Sequence, residues 1–120
     1  MIAAGALAPA AVVASAAEPQ GLIRPPRLRE GDLVGLVNLS SAASDENIAR
    51  GVHNLEAQGL RVKPGRHIRA VQGHYGGTIA QRVEDLHAMF DDREVRGIWC
   101  VRGGAGASSL LPHVDYAKIR

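Results

Sequence analysis

Aromatic residues, cysteine and clustered charge are all scarce in this chain of 120 residues. One Phe, one Trp and two Tyr are the only aromatic residues, so a core has to be built from aliphatic side chains. The single cysteine, Cys100, excludes an internal disulfide. The 14 Lys and Arg residues are scattered, and 12 Asp and Glu residues nearly balance them. Without a basic stripe and interleaved aromatics, the sequence does not favour nucleic-acid binding.

A long apolar run is also missing, because no run reaches the roughly 20 residues that a membrane span needs. Residues 2–13 are apolar and Ala-rich, and residues 14–16 (Ala-Ser-Ala) follow the small-x-small pattern of signal-peptidase sites. The first basic residue, Arg24, comes only after this run. We interpret residues 1–16 as part of an export signal whose basic end is absent, which predicts a periplasmic or otherwise exported protein. If the run is instead a disordered tail, the protein is cytoplasmic.

Strand and helix patterns alternate after a linker. Residues 17–26 form this linker, because their prolines disfavour regular structure. Three apolar segments, 33–39, 60–63 and 95–101, have strand length, and runs without alternation are typical of strands covered on both faces. Strands that alternate with helices predict an α/β domain with a parallel sheet and right-handed crossovers, over residues 27–120.

Polar caps mark where the predicted helices begin. Ser44 precedes a helix that runs to about Gln58 and that Gly59 ends. Thr78 begins the second helix, and Gln81, three residues later, completes a capping box.

Apolar spacing on the second helix predicts a buried stripe of Ile79, Val83, Leu86 and Phe90. Glu84 and Asp85 then fall on its solvated face. Cys100 lies inside the third apolar strand and is predicted to be a buried, inert thiol rather than a nucleophile. Two further helices are predicted at residues 105–111 and, capped by Asp115, at residues 116–120.

The carboxyl ends of parallel strands meet at one edge of a sheet, where α/β proteins bind their ligands. Two loops, residues 38–44 and 102–107, are predicted at this edge. The second loop contains Gly103, Gly104 and Gly106. Such a turn presents bare backbone N–H groups that can hold an anion or a developing oxyanion. No metal site is predicted, because no two of the five histidines have ligand spacing supported by carboxylates.

Five segments, taken in order, follow the pattern of one protein family. They include a Gly-Asp step into the first strand, a Tyr-Gly-Gly-Thr start of the second helix and an Arg-Gly-Gly turn after the third strand. They span residues 29–37, 55–62, 75–86, 90–104 and 110–119. Together they resemble the L,D-carboxypeptidases, or muramoyltetrapeptide carboxypeptidases, over about residues 24–120. These serine peptidases remove the terminal D-alanine from murein tetrapeptides.

The resemblance implies a three-layer parallel-sheet fold, flavodoxin-like or class I glutamine amidotransferase-like, of which this chain is an incomplete N-terminal domain. It implies that Gly103 or Gly104 supplies a backbone N–H to the oxyanion hole. Arg102 and Ser40 are candidates for binding the substrate, a muropeptide, although Arg102 equally suits a salt bridge and Ser40 a loop hydrogen bond. It implies no cofactor.

The sequence departs from the family pattern in informative places. Ala105 stands where the family usually has Tyr, and residues 38–40 (Asn-Leu-Ser) stand where it often has Ala-Pro-Ser. The resemblance places the nucleophilic Ser, the Glu and the His beyond a position like Arg120, so we expect this chain to be inactive alone. The unpaired strand edge that then results predicts self-association, for example as a homodimer.

Two other classes of function remain open. A non-catalytic peptide-binding or interaction module would use the same two loops to hold an anionic peptide. A nucleotide-binding domain would use the Gly104-x-Gly106 pair, although Ser109 occupies the third glycine position of the dinucleotide fingerprint. Muropeptide titration tests the first class, and protection from thermal unfolding by ATP or NAD tests the second.

Overall fold

The computed structural model describes residues 24–119, in which three parallel strands form one sheet in the order β2-β1-β3. The elements are β1 (Leu33–Val37), α1 (Asp45–Glu56), β2 (Arg61–Pro64), α2 (Ile79–Asp91) and β3 (Val95–Cys100). The predicted α/β fold with a parallel sheet is therefore confirmed. The predicted export signal, residues 1–16, and the linker up to residue 23 lie outside the described residues.

Local sequence signals determine where α1 begins and ends. Ser44 precedes it in an extended conformation, and its hydroxyl accepts a hydrogen bond from the Asn47 N–H at 3.2 Å, as a helix cap does. Gly59 follows the helix with φ +78°, a left-handed conformation that glycine adopts without strain. The chain can therefore reverse tightly into β2, as the sequence predicts.

Aliphatic side chains form the core between α1 and the sheet, in agreement with the shortage of aromatics. The buried cluster consists of Val34, Leu36, Ile48, Leu55, Leu60 and Ile68. On the other face of β1, a Cβ on Gly35 would lie 2.6 Å from the sulfur of Met89, so α2 packs directly on the central strand. Covering both faces of β1 removes its continuous apolar run from water.

The buried face of α2 differs from the predicted apolar stripe. The capping box between Thr78 and Gln81 is present as predicted. However, Ile79 and Phe90 are exposed, and the buried residues are Arg82, Val83, Asp85 and Met89. The prediction is wrong because it weighed only apolar side chains, whereas two charged ones are buried here against the backbone of neighbouring loops.

β3 is more exposed than its apolar sequence predicts. Within residues 24–119 it pairs only with β1, so its other edge has no partner strand. Trp99 is 53% exposed. Cys100, predicted to be buried, is exposed for the same reason. Desolvation by its neighbours nevertheless raises the pKa of the Cys100 thiol, which disfavours the reactive thiolate.

The chain after β3 forms shorter helices than the sequence predicts. In place of an α-helix at 105–111, a 3₁₀ helix spans Ser108–His113 and includes Pro112. Gly104 and Gly106, which precede it, have positive φ and delay the helix start. Asp115 caps α3 (Tyr116–Ile119) as predicted, since its Oδ1 accepts a backbone N–H at 3.0 Å. None of the helices within residues 24–119 is long and apolar enough to cross a membrane.

Candidate functional site

The loops after β1 and β3 meet at the carboxyl edge of the sheet, and we call the space between loops 38–44 and 102–107 the cleft. The buried Ser40 hydroxyl donates a hydrogen bond to the Arg102 carbonyl oxygen at 2.8 Å. Ser40 therefore joins the two loops, which favours the loop-hydrogen-bond interpretation of this residue. The Arg102 side chain is exposed and makes no ion pair within the described part of the chain.

A third loop, residues 72–77, packs against the loop after β1. The Gly76 N–H donates to the Ser40 carbonyl at 2.8 Å, and the Ala42 N–H donates to the His74 carbonyl at 2.9 Å. The sequence does not predict this contact, because the segment has no period and its hydrogen bonds to the loop after β1 are made by backbone groups. The cleft consequently has a third wall from the segment just before α2.

The glycine turn, which we define as residues 102–107, exposes backbone donors. Gly103 and Gly104 are exposed, and within residues 24–119 the N–H of neither has a hydrogen-bond acceptor. Gly104 has φ +121°, and a Cβ there would lie 2.8 Å from the Ser41 Oγ. A Cβ on Gly103 would meet nothing within 4 Å. Gly104 therefore needs to be glycine for its conformation and its close neighbour, whereas Gly103 faces open space.

Arg82, a buried residue of α2, connects the loops that form the cleft. Its Nη1 donates to the carbonyl oxygens of Leu39 and Gly106, each at 3.0 Å, and its Nε donates to the Thr78 carbonyl at 3.4 Å. The guanidinium carbon lies 5.2 Å from the centre of the Tyr75 ring, within cation–π range. The sequence analysis included Arg82 only in the segment 75–86 that carries the family resemblance and predicted no role for it, because an arginine on a helix is ordinarily solvated and its hydrogen-bond partners here are backbone atoms.

Asn38 is a buried amide at the start of the cleft loop. Neither its Nδ2 nor its Oδ1 has a hydrogen-bond partner among the described residues. Its side chain packs on Gly76, where no Cβ would fit. A buried polar group left unpaired costs about 1–3 kcal/mol. The Asn38 side chain therefore lowers the free energy of unfolding. Alanine often occupies this position in the family that the sequence resembles.

Replacement of Asn38 by Ala is expected to raise the free energy of unfolding by about 1 kcal/mol, because the unpaired amide is removed and the small cavity offsets only part of the gain. Asn38→Asp should instead lower it, since a charge would then be buried without a partner. Urea denaturation followed by circular dichroism measures both. A loss of stability in Asn38→Ala comparable to that in Asn38→Asp would contradict this account.

Asp85 supports the loop that follows β2 at the carboxyl edge of the sheet. Its two carboxylate oxygens accept hydrogen bonds from the His67 N–H at 3.2 and 3.0 Å. Gly65 lies beside the carboxylate, and its lack of a Cβ leaves room for it. The prediction that Asp85 lies on a solvated face is therefore wrong. Burial raises the pKa of Asp85, and the His67 N–H only partly opposes this.

The raised pKa of Asp85 makes stability depend on pH in a defined direction. Because the folded state holds the Asp85 proton more tightly than the unfolded state, this group favours folding more as the pH falls towards its ordinary value of 3.8. The stability of the wild type relative to Asp85→Asn should therefore increase between pH 7 and pH 4. Urea titrations of both proteins across this range measure it. A difference that stays constant or shrinks towards acid would refute the assignment.

The sequence of this chain is similar to those of known carboxypeptidases. Residues 34–120 match the LD-carboxypeptidase N-terminal domain. The chain is 36% identical over 87 residues to the murein tetrapeptide carboxypeptidase of Pseudomonas aeruginosa, covering 72% of this chain and 28% of that protein. It is 33% identical over 97 residues to the "Probable murein peptide carboxypeptidase" of Bacillus subtilis, covering 81% and 30%. The chain thus spans less than a third of the length of these relatives.

The chain is also similar in fold to solved structures. The microcin C7 self-immunity protein MccF superposes with a TM-score of 0.73 at 26% identity, over 79% of this chain and 29% of MccF. An MccF-like protein from Bacillus anthracis gives a TM-score of 0.73 at 31% identity, over 79% and 30%. Both similarities extend over most of this chain.

Proposed function

Because this chain belongs to the LD-carboxypeptidase family, whose N-terminal domain it matches, we propose that it forms the oxyanion-binding wall of a carboxypeptidase that releases D-alanine from murein tetrapeptides. The observation that carries the proposal is the pair of exposed, unpartnered N–H groups at Gly103 and Gly104. They lie at the carboxyl edge of the sheet, beside two loops that hydrogen-bond to each other. The names of the relatives support the substrate.

The chemistry assigned to the glycine turn is stabilisation of negative charge. When a serine hydroxyl attacks the carbonyl carbon that precedes D-alanine, the carbonyl oxygen becomes an oxyanion, and the N–H of Gly103 or Gly104 donates to it. Loss of one such donor costs about 3 kcal/mol of transition-state stabilisation in serine peptidases. The resemblance assigns the attacking serine and its Glu and His partners to sequence beyond the matching residues. In this proposal, the residues present here therefore bind the substrate and polarise its carbonyl group.

Arg102 has a second role in this proposal. Its exposed guanidinium adjoins the glycine turn and makes no ion pair within residues 24–119, so it is available to attract the carboxylate of the terminal D-alanine. Arg102→Gln should therefore weaken binding of a tetrapeptide with a free carboxylate more than binding of its C-terminal amide.

Calorimetric titration of this chain with a murein tetrapeptide tests the proposal, with mass spectrometry of the same solution to detect D-alanine. We expect binding without hydrolysis, weakened in Gly104→Ala and preserved in the matched variant Gly103→Ala. Equal affinity for unrelated acidic peptides would favour the interaction module. No binding would refute the proposal, and hydrolysis would refute the expected inactivity. Aspartyl sulfamoyl adenosine, a ligand of MccF, together with ATP and NAD, tests for nucleotide-like ligands.

We further propose that the open edge of β3 mediates self-association between two copies of this chain. Its exposed Trp99 and exposed Cys100 lie beside backbone groups that have no partner strand within residues 24–119. Light scattering after gel filtration should give a dimer for the wild type and a monomer for Trp99→Lys, because a lysine on an edge strand opposes pairing. A wild-type monomer, or a Trp99→Lys dimer of equal affinity, would contradict this proposal.

We propose separately that the protein is exported, and this proposal rests on the amino-terminal sequence pattern alone. Expression of the chain with residues 1–16 in place, followed by amino-terminal sequencing, should give a mature protein that begins at Ala17. Recovery of the uncleaved chain in the cytoplasm would contradict it.

A further inference from the structure

Arg82 is a buried cation without an acidic partner. The residue is 3% exposed, and no carboxylate oxygen within residues 24–119 lies within 4.0 Å of its guanidinium nitrogens. Buried charges in proteins are ordinarily paired, because removing them from water is costly. An apolar residue would fill this position on α2 without that cost. The presence of a charge here therefore indicates a task other than packing.

Three contacts of Arg82 converge on the loops of the cleft. Its Nη1 binds the Leu39 carbonyl in the loop after β1 and the Gly106 carbonyl in the glycine turn. Its guanidinium carbon lies 5.2 Å from the centre of the ring of Tyr75, which belongs to the third wall. Gly106 rests on that same ring, since a Cβ on Gly106 would lie 2.6 Å from the Tyr75 Cδ1. One rigid group thus fixes the positions of three loops relative to α2.

We infer that Arg82 is the positioning residue of the glycine turn. By holding the Gly106 carbonyl, it fixes the plane of the peptide that follows Gly106 and restrains the direction in which the N–H groups of Gly103 and Gly104 point. The inference rests on the proposed function, because an oxyanion is what requires these donors in a fixed direction. A guanidinium suits the task better than an ammonium, since its planar fork presents several donors in fixed directions and its cation also lies within cation–π range of Tyr75.

Backbone ¹⁵N relaxation of the whole chain tests the inference without any substrate. In Arg82→Gln, the order parameters of residues 103–107 should fall from about 0.85 to below 0.6, while those of β1 and α1 stay unchanged. Arg82→Lys should give intermediate values, because it retains the charge and some donors. The matched control is Arg93→Gln, an exposed arginine without side-chain partners among the described residues. Wild-type order in the turn of Arg82→Gln, or an equal loss throughout the domain, would overturn the inference.

A second variant keeps the test valid if Arg82→Gln does not fold. Tyr75 is 41% exposed, so Tyr75→Ala leaves the core intact while removing the surface on which both Arg82 and Gly106 rest. We expect the same local loss of order in residues 103–107. An unchanged turn in Tyr75→Ala would overturn the inference.

Binding measurements separate this inference from the proposed function. If the glycine turn loosens in Arg82→Gln and the wild type binds the murein tetrapeptide, affinity in the variant should fall about tenfold. If the turn loosens but the wild type binds no tetrapeptide, the proposed function fails and the positioning of the turn by Arg82 stands. Equal tetrapeptide affinity in both proteins would overturn the link between Arg82 and the donors.

Discussion

Replacement of Leu36 by Ala is expected to lower the free energy of unfolding by about 2–5 kcal/mol. Leu36 is 0% exposed and lies in the central strand, where its methyl groups approach Gly51 of α1. Truncation removes buried apolar surface and leaves a cavity between α1 and the sheet that the neighbouring backbone cannot close. Urea denaturation monitored by circular dichroism at 222 nm measures the loss.

Leu111→Ala is the matched control for this prediction. Leu111 is an exposed leucine in the 3₁₀ helix, so the same chemical change should alter stability by less than about 0.5 kcal/mol. If the two variants lost equal stability, the assignment of the core to the α1 face of the sheet would be wrong.

Replacement of Gly106 by Ala is expected to cause the second large loss of stability. A Cβ there would lie 2.6 Å from the Tyr75 Cδ1 and 3.2 Å from the Arg82 Nη1, on a residue with φ +102°. Backbone strain and overpacking together should cost about 2–4 kcal/mol in Gly106→Ala. Because the damage falls on the contacts that hold the glycine turn, loss of tetrapeptide binding should accompany the loss of stability.

Gly103→Ala provides the comparison within the same turn. No atom lies within 4 Å of a Cβ at Gly103, and its φ is not positive, so a stability change within about 0.5 kcal/mol is expected. Thermal unfolding monitored by fluorescence of the single Trp99 distinguishes the two variants. Similar melting temperatures for Gly103→Ala and Gly106→Ala would show that the turn does not have the described geometry.

Local patterns in the sequence predict the secondary structure because local chemistry determines it. The hydroxyls of Ser44 and Thr78 cap α1 and α2 as predicted, since each cap depends on an N–H only three residues away. The same holds for Gly59, whose left-handed backbone ends the first helical segment. The parallel sheet then brings loops 38–44 and 102–107 together, because its topology leaves their strands side by side.

The remaining differences arise from contacts between distant segments. The burial of Arg82 and Asp85 follows from loop carbonyl and N–H groups that approach α2, and no spacing along α2 reports where those groups lie. The exposure of Cys100 depends on which strands flank β3, which the composition of β3 does not reveal. Gly104 and Gly106 have positive φ and lie close to the distant residues Ser41 and Tyr75, and the following helix begins later than helix propensity predicts.

The most direct test of the central claim is titration of the ¹⁵N-labelled chain with a murein tetrapeptide, followed by the backbone amide resonances. The claim is that the N–H of Gly103 or Gly104 donates a hydrogen bond to the carbonyl oxygen of the substrate. We therefore expect these two resonances to shift most, with the outer face of α2 unaffected. Saturable binding with shifts confined to α2 or to the edge of β3, or no shift at any concentration, would contradict the account.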